Sequence, residues 1–100
     1  MENKKIITKW WEVRRFKGIK LKEPIKVIYD KNKEGEYLFT IDDLNIFAYG
    51  KDLKEVQEEI KRDLYYVYDK LFLQKLDLAP PAEKIKENFK KYLYAPAENN

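Results

Sequence analysis

The spacing of apolar residues predicts an α+β fold: a three- to four-stranded antiparallel sheet packed on one long helix, with a shorter helix near the C-terminal end. Three patterns carry this expectation. Apolar and polar residues alternate in the segments 25–30 and 36–41, the period of a half-buried strand. From Leu53 to Leu71 apolar residues recur every three or four positions, the period of a helix face. Pro80 and Pro81 then separate that run from a second, shorter one.

Taken in order, the elements follow from local chemistry. From Trp10 to Lys22 the β-branched and aromatic content predicts one extended segment. Lys22-Glu23-Pro24 interrupts it, because Pro24 has no N–H to give to a ladder. In the next strand Ile25, Val27 and Tyr29 share a face. After the polar turn Lys31–Gly35, Tyr37, Phe39 and Ile41 share a face in the strand that pairs with it as a hairpin. Asp42-Asp43-Leu44-Asn45 turns the chain again, and Ile46–Tyr49 forms a short strand ended by Gly50. Asp52 is placed to cap the long helix, with Glu55 completing a capping box. Leu53, Val56, Ile60, Leu64, Val67 and Leu71 form its apolar face, and Tyr65, Tyr68, Phe72 and Leu76 a second stripe beside it. The helix is expected over about Asp52 to Leu76. A second helix is expected from about Pro81 to Tyr94, since proline is tolerated in a first turn. The chain thus divides into a basic arm or strand over 1–22, a sheet-and-helix body over 23–76, and a helix with a frayed tail over 77–100.

At 100 residues the chain has the size of one domain. It contains no Cys, His or Ser. Disulfides, thiolate or serine nucleophiles, zinc fingers and imidazole bases are therefore excluded. Its three glycines lie too far apart for a phosphate-binding loop. No apolar run is long enough to span a bilayer, and no apolar segment follows the N-terminal charges as in a signal peptide, so a cytoplasmic location without membrane contact is expected. Charged residues make up 39% of the chain, and its Lys, Glu, Ile and Tyr content is of the kind enriched in thermophiles. Residues 1–22 carry eight basic side chains against Glu2 and Glu12, so the rest of this +3 chain is net acidic.

The order of elements and several local motifs resemble the HicB-like antitoxin domain over about half the chain. Ile25–Asp30 and Glu36–Phe39 are similar to its first two strands. Asp43–Gly50 resembles the third strand that leads into a glycine, and Lys51–Val56 the acidic helix start that follows. The resemblance implies a partial RNase H-like arrangement, and it implies masking of a small basic toxin of the HicA-like mRNA-cleaving class rather than catalysis. It also implies self-association, and the arm around Trp11 and Val13, pairing as a strand, or the Tyr65–Phe72 stripe would supply the dimer surface. Full-length members often carry a DNA-binding tail. Too few residues follow Leu76 for one here, so operator binding is not expected.

An RNase H-like fold invites a search for metal-binding carboxylates, but Asp30, Asp42 and Asp43 all fall in turns, where Asp bonds to nearby backbone. No enzymatic activity, metal or cofactor is expected. For a masking function, exposed acids on the long helix, including Glu58 and Glu59, would steer a basic partner, and Tyr37, Tyr49 and Tyr68 would supply buried aromatic contact. The basic arm leaves two readings open. Trp10, Trp11, Arg14 and Arg15 could hold single-stranded nucleic acid, by stacking on bases and neutralising phosphates. Alternatively the two tryptophans alternate across a strand, one packs inward, and the cations form a solvated edge.

Overall fold

The computed structural model describes residues 9–74 and 76–94. The fold is α+β. Four strands, β1 (Lys9–Phe16), β2 (Ile19–Lys31), β3 (Tyr37–Ile41) and β4 (Ile46–Gly50), form an antiparallel meander in the order β1-β2-β3-β4. Helix α1 (Leu53–Tyr68) runs into a π-helical turn (Asp69–Leu73), and helix α2 (Pro80–Lys90) follows. The tail beyond Tyr94 and the lysines before Lys9 lie outside the described residues.

One face of the sheet carries the core. Val13 and Phe16 of β1, Ile25 and Val27 of β2, Phe39 and Ile41 of β3, and Ile46 and Ala48 of β4 are all buried. Against them α1 sets Val56, Ile60 and Leu64, and the π turn adds Leu71. The alternation read in the sequence places Tyr29 and Tyr37 on this same side, where Tyr29 stacks on Phe39 with ring centroids 4.7 Å apart. Gly50 joins β4 to α1 at close quarters. A Cβ there would lie 3.0 Å from Val56 Cγ2, so the strand-to-helix turn accommodates no larger residue without a shift.

Three local readings need correction. The stretch from Trp10 to Lys22 is two strands of a hairpin, turned by Lys17 and Gly18 at φ 47° and 80°. A two-residue loop with positive φ at both positions matches the twist of the flanking strands. Pro24 does not end a strand but sits in a bulge. Register runs Val13↔Ile25 and then Arg15↔Lys20, so residues 21–24 of β2 face one residue of β1. The boundary drawn at 22/23 thus falls within β2, and residues 9–22 of the arm belong to the first hairpin of the sheet. Helix α1 gives way to the π turn after Tyr68 and ends at Gln74, which is extended at ψ 144°. There Gln74 donates both its backbone N–H to the Asp69 carbonyl and its side-chain amide to Asp69 Oδ2. The wide turn keeps Leu71 in the core and leaves Leu76, expected on the helix stripe, exposed.

Helix α2 begins with its two prolines in the first turn, as the missing N–H groups there permit. It stops at Lys90, short of the expected Tyr94. Its dock is built on the turn before β4. Asp43 Oδ2 accepts the Tyr92 hydroxyl at 2.7 Å and pairs with Lys91 at 2.9 Å, while the Asn88 amide donates to the Asp43 carbonyl. Burial and the adjoining Asp43 carboxylate raise the Tyr92 hydroxyl well above its ordinary pKa. The Tyr92 carbonyl in turn accepts the Lys22 N–H at 2.8 Å, satisfying a donor that the bulge takes out of the ladder.

Two substitutions weigh these forces against each other. Asp52 Oδ1 accepts the Glu55 N–H at 3.0 Å, so Asp52→Ala should cost about 0.5–2 kcal/mol. Leu64 is fully buried, and Leu64→Ala should cost about 2–5 kcal/mol. Denaturant unfolding of both variants checks the order, with Leu64→Ala expected to be the larger loss.

Candidate interaction surface

Among the described residues no helix covers the second face of the sheet. Strand alternation would fill a solvated face with polar residues, yet five large apolar side chains stand on this one: Trp10, Ile28, Leu38, Phe47 and Tyr49. Register shows how they align. Trp10 pairs with Ile28, Ile28 with Thr40, and Thr40 with Phe47, so one row crosses all four strands. Leu38 and Tyr49 pair with each other in the next row. Phe47 and Tyr49, at 62% and 65% exposure, both belong to β4, a strand at the edge of the sheet.

Beside β4, on the flank of α1, lies an open groove of about 250 Å³ lined by Asn45, Ile46, Phe47, Asp63, Tyr66 and Val67. Tyr66 is 61% exposed. Glu59, Asp63 and Tyr66 follow one another at helical spacing and so share this side of α1. The Asp63 carboxyl is raised above its ordinary range by desolvation, with the nearby Glu59 charge adding to the effect and Arg62 opposing it. An edge strand whose outer side pairs with no other strand among the described residues, three exposed aromatic rings and a flank of carboxylates therefore meet along one side of the molecule.

The residues expected to bind a partner do not form one surface. Tyr49 stands on the open sheet face. Tyr37 is half-buried on the opposite face, its ring 6.5 Å from that of Phe39. Tyr68 packs against Phe72 and Phe89. Glu58 is exposed on α1, and Glu59 is half-buried one helical turn before Asp63. Among the described residues neither acid forms an ion pair with Lys54 or Lys61. Lys61 lies instead 5.9 Å from the Trp11 ring.

The arm residues are likewise split. Trp10 is on the open face with Lys26 Nζ 4.4 Å from its ring centroid, whereas Trp11 lies under the sheet, edge-on to Phe39 at 5.8 Å. Arg14 is held by Glu12 at 2.7 Å, and Arg15 is exposed opposite Lys20. Tyr66 belongs to the Tyr65–Phe72 stripe considered as a contact surface, whereas Phe47 is not among the expected contacts. For Phe47 the signal lay in the alternation itself, since it is off-phase with Ile46 and Ala48 and falls on the side meant for polar residues.

Among the described residues no group of three carboxylates is placed to hold a metal ion, and no helix is long and apolar enough to cross a membrane. Compared with known proteins, the chain matches no family model, no curated protein and no solved structure.

Asp63 gives the surface a pH signature. Its folded-state pKa lies above the unfolded value, so its ionisation opposes folding. The penalty is fully present above the folded pKa and absent below the unfolded one. Asp63→Asn should therefore raise the thermal midpoint slightly at pH 7, and the gain should shrink to nothing as pH falls below about 4. Calorimetry of both proteins between pH 3 and 8 checks this.

Proposed function

We propose that this chain is an antitoxin-like binding domain that masks a small basic protein at the β4 side of the sheet. The observation that carries the reading is the meeting of an edge strand with Phe47, Tyr49 and Tyr66, all more than half exposed, beside Asp63, with Glu59 one helical turn earlier on α1. Aromatic rings that pass from water into a closed interface supply affinity, and complementary charge supplies rate and register. A free edge can also accept backbone hydrogen bonds from an added strand. The resemblance to the HicB-like domain supports the same reading. Its most telling motif, Tyr49-Gly50 leading into a capped helix, has a physical basis here in the Gly50–Val56 approach and the Asp52 cap. That family's partners, small mRNA-cleaving proteins of the HicA-like class, are basic because they hold RNA, which suits an acidic flank.

A second reading has one observation of its own. On the open side of the first hairpin, Lys20, Lys22 and Lys26 alternate with core residues, and Lys26 lies over Trp10. Single-stranded nucleic acid would use the ring for stacking and the lysines for phosphate. The centre of the open face is aliphatic, with Ile28 and Leu38, and this favours protein over bases.

The test is co-purification with the products of the adjacent reading frames, with growth after co-expression as the second readout. With a bound partner in hand, Tyr49→Ala or Phe47→Ala should speed dissociation, by about 30-fold for a contact worth about 2 kcal/mol. Joint reversal of Glu58 and Glu59 to Lys should slow association and flatten its salt dependence. A toxic neighbour that is neither bound nor relieved defeats the masking proposal. Salt-sensitive binding of random oligonucleotides that is lost with Trp10→Ala supports the second reading instead.

A further inference from the structure

We infer that the open sheet face pairs with the same face of a second copy, as a two-fold sandwich whose axis runs along the row Trp10–Ile28–Thr40–Phe47. This proposal does not rest on the masking function. It starts from the charges that frame the apolar row. On β2, Lys26 and Asp30 stand two residues to either side of Ile28, and both are exposed on the open face. Neither forms an ion pair among the described residues. Lys26 rests over the Trp10 ring, and among the described residues the Asp30 carboxylate accepts only the adjacent Lys31 N–H, through Oδ1.

A two-fold axis lying along the row, in the plane between two facing sheets, carries each strand onto its own copy with its direction reversed. Each residue on the row then meets its own copy, and each residue one step to one side meets the residue one step to the other. Lys26 therefore falls over Asp30 of the second copy, and Asp30 over its Lys26, giving two equal ion pairs around Ile28. The face carries its own complement, as an isologous interface must. Facing sheets lie about 10 Å apart, which a lysine and an aspartate reaching toward each other can bridge. The usual rotation of about 30° between packed sheets displaces each pair by only about 3 Å, well within the freedom of a lysine stem. Glu12, the acid on the open face of β1, is already paired with Arg14.

Size sets the strength. Four strands of five residues offer roughly 300 Å² of flat sheet, well short of the roughly 800 Å² per partner of a standard stable interface. The dimer should therefore be weak, of the kind that forms only at high concentration.

Sedimentation equilibrium of the full chain from about 5 μM to 1 mM tests this, with circular dichroism confirming that every variant is folded. The wild type should pass from monomer to dimer over that range. Ile28→Lys should be monomeric throughout. Lys26→Asp and Asp30→Lys should each weaken the dimer at least tenfold, and the two together should restore it, because the swap rebuilds both pairs across the axis. Restoration is the decisive readout, since a role confined to one chain would not produce it. A wild type that stays monomeric at 1 mM overturns the proposal. So does a dimer that survives Ile28→Lys, which would point to pairing at an exposed strand edge, and so does a double variant no stronger than its two parents.

Discussion

The structure depends on a mismatch between one helical layer and a two-faced sheet. Strand geometry sends alternate side chains to opposite faces, so burying one face leaves the other to solvent unless a second layer covers it. Here α1 and the π turn cover the face that holds Val13, Ile25, Val27 and Phe39. Once that side is occupied, the fate of every off-phase residue is fixed. Ile28, Leu38 and Phe47 are exposed because Val27, Phe39 and Ile46 are buried. Local propensity for strand is satisfied on both faces, but burial is satisfied on only one. Such a conflict within an otherwise consistent sequence is the usual mark of a functional surface.

The second helix solves a different problem. Opening β2 into a bulge at 21–24 lets Leu21 and Ile25 both reach the core, but it leaves backbone donors without a strand partner. The C-terminal end of α2 supplies the missing acceptor through the Tyr92 carbonyl, and Asp43 fixes that end by holding Tyr92 and Lys91. Phe89 then sits fully buried, between Phe16 of the first hairpin and Phe72 of the π turn. Helix α2 therefore serves less as a layer than as a clasp, joining the first hairpin to the turn before β4.

Most of this fold is legible in the sequence, because alternation and helical spacing are direct consequences of burial. Tyr37, Phe39 and Ile41 share a face as their spacing requires, and Asp52 caps α1 as its residue type suggests. The misreadings have a common origin in backbone geometry that residue type specifies weakly. Lys17 adopts positive φ without being Gly or Asn, so the hairpin turn carried only the signal of Gly18. The π turn follows from how Leu71 and Phe72 pack, and no local residue pattern announces it. The candidate surface is legible by a different rule. Tyr37 and Tyr68 were expected as contacts by residue type, although their phase with Phe39 and Leu64 already pointed them inward. Leu38 and Phe47, whose phase pointed them outward, carried the stronger signal. A buried position explains an apolar residue without function, whereas an apolar residue on the solvated phase still needs a cause.

The two surfaces proposed for this chain meet at Phe47. A face-to-face dimer would stack the layers as helix, sheet, sheet, helix, with α1 of each copy outermost. That arrangement stacks the two β4 edges at the same end of the row, each with its own Tyr66 and carboxylate flank of α1 in the outer layer, so the two docking sides lie next to each other. Phe47 belongs to the axis row and also lines the groove beside α1. A single ring cannot be buried afresh by both events, and whichever occurs first removes part of the apolar gain from the second. Partner binding and self-association would then be linked through one side chain, with a coupling bounded by the burial energy of a phenylalanine, about 1.5–3 kcal/mol. Linkage of that size would change the dissociation constant of the dimer by roughly 10- to 150-fold. A bound partner could therefore set the oligomeric state without any change in the fold.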